Sequence, residues 1–74
     1  MTKQDKENLI KEIDVEIAYQ ENIIYNNQEL LKRIDSGEEL SFDRDLYGTS
    51  IFSAHNVITG LEIAKTIILN AEVN

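Results

Sequence analysis

From Leu9 to Ile34 the chain places apolar residues, broken by two amides, at intervals that alternate between three and four. The series is Ile10, Ile13, Ile17, Gln20, Ile24, Asn27, Leu31 and Ile34. Such spacing sets one residue per half-turn along a single seam of an α-helix. Start and stop signals frame it. Thr2 followed by Asp5 reads as a capping box, and Asp5 and Glu7 suit the positive end of the helix dipole. No proline or glycine interrupts before Gly37, Lys32 and Arg33 fall in the last turn, and Ser36-Gly37 supplies a C-cap. The pattern predicts a helix over 3–35, roughly 50 Å long.

A second apolar stripe, Ile51, Ala54, Val57, Ile58, Leu61, Ala64, Ile68 and Ala71, predicts a helix over 50–71 with Thr49 or Ser50 as its N-cap. Residues 36–49 read as an acidic connector. Its Leu40, Phe42, Leu46 and Tyr47 are too apolar for a free linker and are expected to tuck under the helices, as one turn capped by Ser41. The fold class is therefore all-α, a single domain in which a long helix, an acidic connector and a shorter helix form a helical hairpin.

Unequal helix lengths suggest more than a hairpin. With the connector at the other end, the excess of the first helix falls on its N-terminal turns. Leaving Leu9, Ile10 and Ile13 exposed there would cost about 1.5–3 kcal/mol each relative to burial. The second helix adds Ile63 and Ile67 to a C-terminal half that is apolar on nearly every side, and Gly60 and Ala64 would let another helix approach closely. These residues are the expected oligomer interface. A chain of 74 residues without cysteine has few other routes to stability. A parallel two-stranded coil would oppose Glu16 to Glu21, so an antiparallel pairing of hairpins in a homo-oligomeric helical bundle fits better. There Gln20 and Asn27 would set register by pairing with each other or with other polar groups.

Charge narrows the partners. Fourteen acidic and seven basic residues leave a net charge of -7. A chain with no basic patch is poorly suited to bind nucleic acid directly or to adhere to an anionic membrane. No apolar run approaches the 18 residues of a membrane span. The opening Met-Thr-Lys-Gln-Asp-Lys-Glu-Asn lacks the apolar core of a signal peptide, so a cytoplasmic location is expected.

Candidate chemistry is sparse. His55 has no companion nucleophile or ligand and reads as a surface histidine. Asp43-Arg44-Asp45-Leu46-Tyr47-Gly48 begins like a calcium-binding EF-hand loop, but Tyr47 replaces an oxygen ligand and Ala54 stands where the bidentate glutamate belongs. Catalytic, cofactor and metal sites are thus not expected, and the chain reads as a binding protein. Its contact residues would be Asp14, Tyr19, Glu21, Tyr25, Glu38, Glu39, Asp43 and Asp45, an acidic surface with tyrosine anchors facing a protein with a basic surface. Small acidic inhibitors made by phages and mobile elements against host nucleic-acid-binding or defence enzymes share this size and charge. The plainer reading is that the carboxylates only keep the surface solvated. In an alternative, the chain is a structural or assembly protein that acts by helix-mediated self-association.

Overall fold

A computed structural model describes residues 1–38 and 44–73. Two antiparallel helices account for nearly all of it, α1 over Lys3–Asp35 and α2 over Arg44–Leu69. They pack along their lengths into a rod with extents of 57 × 15 × 15 Å.

The ends of α1 form as the sequence signals require. The Asp5 amide donates to the Thr2 hydroxyl at 3.1 Å, and the Thr2 amide donates to the Asp5 carboxylate at 3.2 Å. These bonds favour the ionised carboxylate, with the backbone donor first, and hold Asp5 below the usual range. At the other end Gly37 takes a φ of 97°. Its amide donates to the Ile34 carbonyl, and the Glu38 amide donates to the Arg33 carbonyl, which together make a Schellman motif.

α2 starts at Arg44, ahead of the N-cap expected at Thr49 or Ser50, and it ends at Leu69 before the expected 71. Tyr47 explains the early start. It extends the inward seam to Tyr47, Ile51, Ala54, Ile58, Leu61, Lys65 and Ile68, at alternating intervals of four and three. Burying an aromatic ring outweighs the roughly 1 kcal/mol that Gly48 costs inside a helix. Leu46, one residue away from that seam, is exposed instead of tucked, and so is Val57 of the expected apolar stripe. Leu40, Ser41 and Phe42 lie outside the described residues.

Because α2 starts early, the anticipated overhang disappears. The Lys6 ammonium donates to the carbonyls of Leu69 at 2.7 Å and Ala71 at 3.2 Å. α2 has no basic residue in its last turn, so α1 supplies the cation for its negative end. Asp14 pairs with Lys65 at 2.6 Å, and Asp35 with Arg44 beside the connector. These three contacts fix the register and bring Ile10 and Ile13 level with α2, where both are half-buried. Of the three overhang residues only Leu9 stays exposed.

Gln20 and Asn27 settle within α1 itself. Asn27 donates to the Ile23 carbonyl at 2.7 Å and Gln20 to Glu16 at 3.1 Å, while the register expected of them is one between hairpins. The seam is nonetheless thin. Among the described residues only Ile24 (9%), Tyr47 (9%) and Ala54 (2%) are buried, while the other seam side chains keep partial contact with water.

Ala54→Leu is expected to force apart the two helices at their tightest point, lowering stability by about 1–3 kcal/mol in urea unfolding followed by circular dichroism. Lys6→Met should cost about 0.5–1 kcal/mol in the same assay at low salt, with the loss shrinking as salt is added.

Candidate protein-binding surface

α1 turns its seam toward α2, which leaves its opposite face to solvent. Between Glu12 and Glu29 that outer face carries no charge: Val15, Ala18, Tyr19, Asn22, Tyr25 and Asn26. Val15 (70%), Tyr19 (59%) and Tyr25 (61%) are strongly exposed, spread over three turns of a rigid helix. Aromatic side chains with few rotatable bonds lose little entropy on docking, which makes such a face apt for recognition. Val15 has a neighbour in Tyr19 one turn on. The signal for Asn22 and Asn26 was the same gap in the charge pattern.

Carboxylates edge this face unevenly. Glu21 is exposed and makes no ion pair with another described residue, as is true of Glu7 and Glu12. Asp14 is committed to Lys65. Glu38 accepts from Arg33 Nε at 2.8 Å and from Arg33 Nη2 at 3.2 Å. That fork holds the Glu38 carboxyl below its ordinary range and raises Arg33, the hydrogen bond being the larger cause for each. Two of the expected contact charges are therefore largely neutralised inside the chain.

The expected site also divides in space. Glu21 and Tyr25 sit at mid-helix, whereas Glu38 follows the last turn of α1 and Asp45 lies in the first turn of α2. About 20 Å of helix separates the two groups. Glu39 and Asp43 lie outside the described residues. One partner contact need not span both groups, and the tyrosine face is the better organised of the two.

Arg44 to Gly48 are helical, so Asp45 cannot belong to a calcium loop, and no cluster of metal-ligating side chains occurs among the described residues. His55 is exposed, with its carbonyl accepting from the Thr59 hydroxyl at 3.0 Å. A groove of about 560 Å³ does open at the far end of the hairpin, lined by Lys3, Lys6, Glu7, Ile10, Lys11, Leu69 and Val73. Its rim mixes three lysines with one glutamate, and it stands apart from the tyrosine face.

Since the folded Glu38 carboxyl titrates below its unfolded value, its pairing stabilises the α1 C-terminus above the ordinary carboxylate range and is lost as pH falls through the lower, folded value. Glu38→Gln should flatten that acid-side dependence in thermal melts between about pH 5 and pH 3.

Comparisons of this chain with protein-family models, with curated proteins and with solved structures find no match.

Proposed function

We propose that this chain is a small acidic binding protein, assembled as a homo-oligomer, that regulates or inhibits a partner protein through the outer face of α1. The observation that carries this reading is the exposure of Val15, Tyr19 and Tyr25 on one uncharged helix face, with the carboxylates of Glu12 and Glu21, which make no ion pair among the described residues, beside it. A partner with a basic surface complements that edge, and a nucleic-acid-binding or defence enzyme offers one, as a phage or mobile-element inhibitor would require. Charge at the rim would govern encounter rate and specificity, and the tyrosines would supply the contact that persists.

A second reading, assembly as the function itself, draws support from the thin core. With three buried residues among those described, much apolar surface is left for another copy to cover. The regulator reading rests on the outer face of α1 and the assembly reading on Leu9, Ile10, Ile13, Ile63 and Ile67, so mutation separates them.

With the tagged chain as bait in nuclease-treated lysate, the regulator reading expects one stoichiometric partner that added DNA or RNA displaces. Tyr25→Ala combined with Glu21→Lys should lower recovery of that partner at least ~10-fold, a loss of the size seen when an interface anchor is removed, while helicity is unchanged. Asp14 is a poorer choice, because its replacement also breaks the Lys65 bridge. Undiminished recovery by the double variant would sink the role given to this face.

A further inference from the structure

The hairpin has a charged side and a side with few charges. Among the described residues the ion pairs that join the helices, Asp14 to Lys65 and Asp35 to Arg44, lie on the charged side. One residue around α2 from the inward seam runs a second heptad. Leu46, Ser53, Val57, Gly60, Ala64 and Ile67 belong to it, and no ionisable group interrupts it. On this side α1 contributes Leu9, Glu16, Ile23 and Leu30, with Glu16 the one ionisable group of that row. Ile67 is 66% exposed, and Leu46 and Val57 are exposed as well.

We infer that this sparsely charged side is a two-fold interface with a second copy of the chain, in which antiparallel α2 helices cross at Gly60. The inference rests on the self-association in the proposed function and adds its face, dyad and direction. Gly60 is the first argument. A glycine inside a helix costs about 1 kcal/mol against alanine, yet a Cβ added at Gly60 would meet nothing within 4 Å among the described residues; the same holds at Gly48, but only Gly60 lies in this row. Nothing in the hairpin uses the missing side chain. A second backbone approaching closely would use it.

Shape is the second argument. About a dyad at Gly60, Ile67 comes level with Ser53 of the mate and Ala64 with Asn56, so a larger group meets a smaller one on both sides of the centre. Asn56, exposed beside this row, would place an amide at the contact in this register, which favours it over its neighbours.

Length and charge agree. Five residues along each helix from the Asp14–Lys65 pair, Tyr19 stands level with Gly60. Tyr19 is also the midpoint of Lys3–Asp35, so a dyad there overlaps the two rods over their whole length. A side of 57 by 15 Å projects about 850 Å², against the ~800 Å² each partner contributes to a stable dimer. The α1 carboxylates nearest this side, Glu12 and Glu16, come level with Asn26 and Asn22 of the mate and not with other acids. The remaining carboxylates stay outside the contact, as an acidic chain that meets itself requires.

The chain has no cysteine, so single cysteines report the geometry directly. Sedimentation equilibrium of the full chain should return twice 8.5 kDa. Under mild oxidation Gly60→Cys should cross-link to itself, because it sits on the dyad. Ser53→Cys should not, since antiparallel mates hold it about 20 Å apart, beyond the 7 Å reach of a disulfide. Gly60→Leu finds open space in the hairpin and should keep or raise helicity while weakening the dimer at least ~30-fold, with Ile67→Glu acting in the same direction. A monomeric wild-type chain would overturn both this inference and the self-association beneath it. A dimer that survives Gly60→Leu and never cross-links through Gly60→Cys would overturn this face alone.

Discussion

Two helices can cover only one stripe of each other, and everything else in this structure follows from that limit. A hairpin has no third layer, so its seam residues touch the opposite helix on one side and water on the other. Ile24 and Ala54 reach real burial because they lie where the rods come closest, and Tyr47 does so by closing the seam near the connector. Larger domains gain specificity from an enclosed interior. Here it must come from the edges of the seam.

Those edges are polar and do a distinct job. A heptad seam of isoleucines is nearly indifferent to a slip of one repeat, since Ile13, Ile17 and Ile24 present similar surfaces. Ionic contacts at the open end, the middle and the connector end are not indifferent, because each needs its partner at one level. Exposed ion pairs add little stability individually. Their use is to discriminate between registers, and in this chain they do so at intervals along the whole rod. The same use withdraws Asp14 from any role in recognition.

The sequence made α1 legible almost residue by residue, because its cap, its seam and its terminating glycine all signal the same element. α2 was legible in its middle and not at its start. Gly48 and the acidic run before it outweighed the evidence of Tyr47, whose place in the seam becomes visible only when the register with α1 is known. The overhang expected at Leu9, Ile10 and Ile13 failed for the same cause, since it was inferred from a helix taken to be too short. The candidate site was legible in part. Exposed tyrosines on the outer face follow from the heptad, whereas the pairing of Asp14 with Lys65 and of Glu38 with Arg33 depends on distances in space. A one-dimensional charge pattern treats a bridged carboxylate and a free one alike.

The tie from Lys6 to the carbonyls of Leu69 and Ala71 joins the two ends of the rod that lie farthest from the connector. Both termini therefore leave the molecule at one end, and the molecule is mechanically anisotropic. A pull between the termini loads the Lys6 tie first and then peels the helices apart one turn at a time. A pull between a terminus and the connector loads the seam in shear, with every isoleucine resisting together. The chain should be weak against unzipping and strong along its axis, a directional compliance set by where one ammonium group is placed.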